Sequence, residues 1–249
     1  MEGARRYRHF VLAGMLLLVT LVVACDGEAV TLPQPTFTPG KGTERVSIVI
    51  AEDEIVLNGH VFGGKNEVGV ILSHMRPNDQ SAWFEFAQRL ADEGYAALTF
   101  DFRGYGESQG DKDFSKLDED LSEALRYMQQ DRHLETVFLV GASMGGTTSL
   151  VVAAQEDVAG VVSVSAPAEF EEQKALEAVP QITEPKLFLV SEEDTAAVLS
   201  LEELLDAASE PKDSETYPGN AHGTDLLRGD HTEAFQERIL QFLRDHSGA

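Results

Sequence analysis

From residue 44 onward the hydrophobic and polar positions change period repeatedly along the chain. Residues 45–50 and 54–61 alternate polar and apolar side chains around Ala51-Glu52-Asp53, which predicts a hairpin. Residues 68–73 form a continuous apolar run, the pattern of a strand buried on both faces. Over 82–93 the period becomes helical: Trp83, Phe84, Phe86, Ala87, Leu90 and Ala91 share one face, and Gly94 closes the segment. A strand is predicted at 95–102. A helix follows over 117–130, with Leu117, Leu121, Ala124, Leu125 and Met128 inward. The run from Thr136 then reads as a strand, and residues 144–154 as a helix. Further on, the pattern predicts a strand at 158–165, a short acidic helix at 170–178, a strand at 187–191 and a helix at 199–208. A short strand at 214–217 and a final helix at 233–246, carrying Phe235, Ile239, Leu240, Phe242 and Leu243, complete the series.

Strands alternating with helices call for a mostly parallel sheet with helices on both faces. No internal repeat is present. Only about twenty residues separate Ser165 from Leu187, and loops between elements are ordinarily short, so no separate lid domain is expected.

The first 43 residues follow none of these periods. Residues 1–9 are basic and residues 10–24 apolar, the two regions of an export signal. The apolar run is short for a bilayer span. The pair Arg5-Arg6 lacks the rest of a twin-arginine motif, so the general secretory route is expected. The run ends in Val22-Val23-Ala24-Cys25, which resembles the bacterial lipobox. That resemblance implies cleavage before Cys25, lipidation of its sulfur and an extracytoplasmic protein held on a bacterial membrane. Cys25 is the sole cysteine, so a monomer holds no disulfide. Residues 26–43, rich in Pro, Thr and Gly, read as an extended tether. The expected organisation is a signal peptide over 1–24, a tether over 25–43 and one folded domain over 44–249.

Charge sharpens the picture by exclusion. Forty-three acidic against 19 basic side chains leave a formal net charge of −24. A nucleic-acid partner is excluded, because no basic patch exists to displace condensed counterions. Anionic lipid would repel such a surface unless an anchor held it there, and a solubilising role accounts for the charge.

The chemistry concentrates at Gly141-Ala142-Ser143-Met144-Gly145, placed between the strand from Thr136 and a helix. In that setting Gly-x-Ser-x-Gly presents a serine hydroxyl at a strained turn and at the positive end of a helix. The same five residues elsewhere would be an ordinary turn, so the reading needs a base, an acid and donors for an oxyanion. Upstream, Phe100-Asp101-Phe102-Arg103-Gly104-Tyr105-Gly106-Glu107-Ser108 supplies a second, longer motif one helix earlier.

On these two motifs, residues 45–248 resemble the α/β-hydrolase family, in particular its compact lidless members, such as dienelactone-hydrolase-like and small esterase proteins. The resemblance implies an eight-stranded, mostly parallel sheet with an N-terminal antiparallel hairpin. It also implies the chain order serine, acid, histidine, and gives Asp101 and Arg103 a structural role. Of the seven histidines, His222 in Pro218-Gly219-Asn220-Ala221-His222-Gly223 stands where the family places its base. Asp194 of Ser191-Glu192-Glu193-Asp194 stands where it places the acid, with Glu193 the runner-up and a helix cap the competing role. The oxyanion donors would be the backbone N–H of Met144 and one from the loop His74-Met75-Arg76-Pro77. There Met75 replaces the usual glycine, so either Met75 or Arg76 is the second donor. His74 is expected to be buried and bonded to backbone. The acids of 111–119 lack the spacing of metal ligands, and the lysine of a phosphate-binding loop is missing after Gly146. Neither metal nor cofactor is expected. The activity implied is hydrolysis of a carboxylic ester in a small-molecule substrate through an acyl-enzyme. Thioester and peptide bonds are alternatives, as is a silent binding lipoprotein on the same scaffold.

Overall fold

The computed structural model of the chain describes residues 42–248. The expected signal, Cys25 and nearly all of the tether lie outside the described residues. β1 (Glu44–Ile50) and β2 (Ile55–Phe62) form the predicted hairpin, with Ile50 opposite Ile55. β3 (Val68–Ser73), β4 (Tyr95–Phe100), β5 (Thr136–Ala142), β6 (Gly160–Val164), β7 (Lys186–Ser191) and β8 (Lys212–Tyr217) run parallel to one another. β2 joins them antiparallel to β4, which gives one eight-stranded sheet in the order β1-β2-β4-β3-β5-β6-β7-β8.

Among the described residues five α-helices connect successive strands, α1 (Phe84–Asp92), α2 (Leu117–Arg126), α3 (Met144–Ala153), α4 (Ala175–Ala178) and α5 (Thr195–Ala207), and α6 (Thr232–His246) follows β8. Two cores separate the helices by face. Trp83, Phe84 and Leu90 of the α1 region pack with Phe235, Ile239 and Leu243 of α6. Leu121 of α2, Leu150 of α3 and Leu204 of α5 pack on the other face. Trp83, Phe86, Phe100, Phe138 and Phe235 are fully buried. Each contributes roughly 2–3 kcal/mol by leaving water.

The chain crosses from β3 outward to β4 and back to β5, so β3 and β5 are neighbours whose connections leave in opposite directions. Ligands of open α/β sheets bind at the carboxyl ends of strands beside such a switch. β3 ends at Ser73 and β5 ends just before Ser143, so both strands end at that crevice.

Three elements depart from the sequence pattern. α5 begins at Thr195 rather than at residue 199, with Asp194 at its start. The segment expected as a helix from Phe170 is a tight turn up to Gln173, with Glu171 at φ 51, and α4 is a single turn. Phe170 is held there by an edge-on contact with Phe114, ring centres 5.4 Å apart, and the Gln173 amide reaches Asp118. β4 stops at Phe100 because Asp101 turns inward to accept hydrogen bonds from the Gln80 backbone and side-chain amides and from Glu107 N–H.

Candidate active site

The site begins with the tight passage from β5 into α3. Ser143 sits at φ 48, ψ −115, a region that costs a side chain about 1–3 kcal/mol. Two glycines permit the approach that forces this turn. A Cβ on Gly141 would lie 2.2 Å from Gly145 O, and one on Gly145 would lie 2.4 Å from Ser73 O and 2.7 Å from His74 O. All ten positions of α3 are buried, and Ser143 N–H donates to Val164 O on β6. The serine is therefore fixed from below by three strands and a helix.

His222 comes from the loop after β8, and its Nε2 lies 2.8 Å from Ser143 Oγ. Its Nδ1 lies 2.7 Å from Asp194 Oδ2. A carboxylate only accepts, so Nδ1 carries the proton and Nε2 is left to accept from the serine hydroxyl. Asp194 is mostly buried, its side chain 12% exposed, whereas His222 is 41% exposed. Glu193, the runner-up, points to solvent, and its backbone N–H pairs with Gly219 O. The Asp194 side chain makes no capping bond to α5; its carboxylate goes to the imidazole instead. The structure thus brings Ser143, His222 and Asp194 into one hydrogen-bonded chain, an arrangement able to take a proton from the serine hydroxyl.

Supporting contacts come from residues without a readable sequence signal. Ser191 Oγ donates to Ala221 O at 2.7 Å, and Asn78 Nδ2 donates to Thr224 Oγ1 at 3.2 Å. Both brace the His222 loop, one from β7 and one from the loop after β3. Glu192 N–H bonds Tyr217 O, which extends the β7–β8 ladder beneath the acid. A serine at a strand end and an asparagine in a loop look alike in sequence wherever they point, so only the fold identifies these partners.

The candidate oxyanion donors border the same space. Met144 is the first residue of α3, so its N–H has no acceptor within the helix. Met75 is buried, with its sulfur against the His222 loop: a Cβ on Gly223 would meet it at 2.6 Å. Neither Met75 nor Arg76 donates its N–H to a backbone carbonyl among the described residues. His74 is fully buried and bonded to backbone on both sides, with Nδ1 at 3.0 Å from Met75 O and Nε2 accepting from Phe102 N–H at 3.1 Å. Burial lowers its pKa and keeps it neutral. It anchors the loop after β3 to the Asp101–Ser108 motif. Arg103 in that motif is locked between Asp53 and Asp120, at 2.7 and 2.6 Å, so it belongs to the framework.

No group of metal-ligating side chains occurs among the described residues. No helix among them is long and apolar enough to cross a membrane.

The family model described as "Serine aminopeptidase, S33" matches residues 64–175, which include both motifs. An uncharacterized protein of Mycobacterium tuberculosis is 26% identical over 239 residues, covering 86% of this chain and 84% of its own. An esterase of Pyrococcus furiosus superimposes with a TM-score of 0.71 at 20% identity, over 83% of this chain and 91% of its own. A thermophilic esterase from Thermogutta terrifontis, solved with malate bound, gives 0.67 at 18% identity over 82% and 99%. The likeness to these solved structures shows the fold of the α/β-hydrolases.

Proposed function

We propose that the chain is a serine hydrolase that cleaves carboxylic esters. One observation carries the reading: Ser143, His222 and Asp194 form a continuous hydrogen-bonded chain at the crevice above the switch in the sheet. Ser143 Oγ attacks the ester carbonyl as His222 Nε2 takes its proton, and Asp194 stabilises the imidazolium that forms. The tetrahedral oxyanion is held by Met144 N–H and by Met75 or Arg76 N–H. Collapse expels the alcohol, which leaves with the proton from His222. Water, activated by the same imidazole, then hydrolyses the acyl-enzyme. Several of the structurally similar proteins are esterases, which supports an ester over other acyl substrates. We also propose lipidation at Cys25 and an extracytoplasmic place on a bacterial membrane, supported by the lipobox-like Val22-Val23-Ala24-Cys25.

A fluorophosphonate probe tests the chemistry. Wild type should label and Ser143→Ala should not; folded wild type that stays unlabelled overturns the enzyme in favour of a binding protein. The aminopeptidase description of the matching family model supports a second reading, peptide hydrolysis. Aminoacyl para-nitroanilides beside para-nitrophenyl esters separate the two, and preferential cleavage of the anilides reverses the order. Labelled palmitate should tag the protein in cells, and a tag that persists in Cys25→Ala removes the anchor.

A further inference from the structure

Two exposed cations near the candidate site, Arg76 and Lys112, lie against aromatic rings rather than carboxylates. Acidic side chains outnumber basic ones 43 to 19, and arginines accordingly find carboxylates. Arg45, Arg89, Arg103 and Arg132 each pair with at least one. Arg76 pairs with none among the described residues and donates no hydrogen bond to them. Its guanidinium instead lies 5.7 Å from the ring centres of both Phe114 and Phe170, within cation–π range. Lys112 is likewise without a carboxylate among the described residues. Its ammonium sits 3.9 Å from the ring centre of Tyr105.

These aromatic supports adjoin the reacting residues. The Tyr105 ring packs 4.9 Å from the His74 ring, and its hydroxyl reaches the sulfur of Met144, the residue after the nucleophile, at 4.0 Å. Arg76 directly follows Met75, whose sulfur abuts the His222 loop. Arg76, Phe114 and Phe170 come from the loops after β3, β4 and β6, all at the carboxyl edge of the sheet. Acids close by in sequence are spent locally: Asp79 accepts from Ser81, Asp113 from Ser115, and Glu169 pairs with Lys174. Asp111, Glu171 and Glu172 stay exposed.

From this juxtaposition we infer that Arg76 and Lys112 form an anion-binding subsite, and that the preferred ester carries a carboxylate or phosphate group near its scissile bond. Arg76 offers a planar fork suited to two oxygens, and Lys112 a mobile point charge. Their rings hold the cations in place without neutralising them, so the guanidinium and ammonium donors remain available to a ligand. An acidic body with two cations near the candidate site would also direct the anionic end of a substrate to one orientation. The inference rests on the ester-hydrolase reading and adds the substrate class.

The test compares three matched pairs: para-nitrophenyl hemiglutarate and its methyl ester, para-acetoxybenzoate and its methyl ester, and para-acetoxyphenyl phosphate and its dimethyl ester. The readout is the ratio of kcat/KM within each pair, so a general loss of activity cancels. In Arg76→Gln/Lys112→Gln the anionic-to-neutral ratio should fall about tenfold in at least one pair, as expected for charge-assisted hydrogen bonds. Arg76→Lys should retain part of the preference, and added salt should weaken it in wild type. Which pair responds separates carboxylate from phosphate and acyl side from alcohol side. Should the double variant be inactive, the same ratio in Lys112→Gln decides. Ratios that stay within about twofold of wild type in all three pairs overturn the subsite. Wild type that neither labels with fluorophosphonate nor cleaves any of the six overturns the hydrolase reading itself, and the subsite with it.

Discussion

α3 and α5 both follow a parallel strand and both begin one residue after a member of the Ser143–His222–Asp194 chain, yet the protein treats them oppositely. Every residue of α3 is buried. Of the thirteen residues of α5 only Ala197 and Leu204 are, and Leu199 is 58% exposed. β5 lies in the middle of the sheet, whereas β7 is next to its edge strand. The nucleophile candidate is thus built into the densest part of the fold, where its unfavourable φ can be enforced by packing. The acid stands at a helix start that few contacts hold, and it is placed by hydrogen bonds to neighbouring loops. Backbone strain needs a rigid surround, but a carboxylate that only orients an imidazole needs the right neighbour alone.

The largest effect expected from that difference is on activity with little change in stability. Asp194→Asn leaves α5 its start and removes the acceptor that fixes the His222 tautomer. On the proposed mechanism, kcat should fall about 10³- to 10⁴-fold, while the midpoint of urea unfolding moves by no more than about 1 kcal/mol equivalent. Loss of activity together with collapse of the fold would contradict the view that the acid is locally held.

At the α3 end, stability should break first. Gly145→Ala places a methyl group 2.4 Å from Ser73 O and 2.7 Å from His74 O. Both are backbone atoms at the end of β3, so neither can swing aside. Overpacking of this kind costs about 1–3 kcal/mol, read from denaturant unfolding. Because relief requires the 73–75 loop to move, the proposed ester hydrolysis should drop as well. A change below about 0.5 kcal/mol would show that the approach of α3 to β3 is looser than the distances indicate.

The same contrast explains what was legible in the sequence. A strand buried on both faces, followed by glycines that close on a serine, leaves a continuous apolar run and a fixed spacing, so Ser143 and the β5–α3 unit could be read directly. His222 was legible through chain order and its small neighbours Ala221 and Gly223. Asp194 was legible only as one of three adjacent acids, because the choice among them depends on where each side chain points as the chain enters α5. The start of α5 was not legible: with two buried positions in thirteen, no apolar period marks its first turn. Residues 170–173 misled for a related reason. An acidic run beside Phe170 looks helical, but the aromatic contact with Phe114, 56 positions earlier in the chain, decides the turn. Arg76 and Lys112 carried no signal as cations, since their aromatic supports come from separate loops.

The smallest effect sharpens the comparison at its exposed end. Leu199→Gln replaces an exposed leucine by another good helix former, so neither propensity nor core packing changes much. The unfolding free energy should shift by less than about 0.5 kcal/mol, the range of ordinary surface substitutions. By contrast Leu150→Ala in fully buried α3 should cost about 2–5 kcal/mol. A cost for Leu199→Gln approaching that of Leu150→Ala would mean that α5 buries this face in solution. The edge of the site would then be as rigid as its centre, and the division between a tightly packed Ser143 and a loosely carried Asp194 would fail.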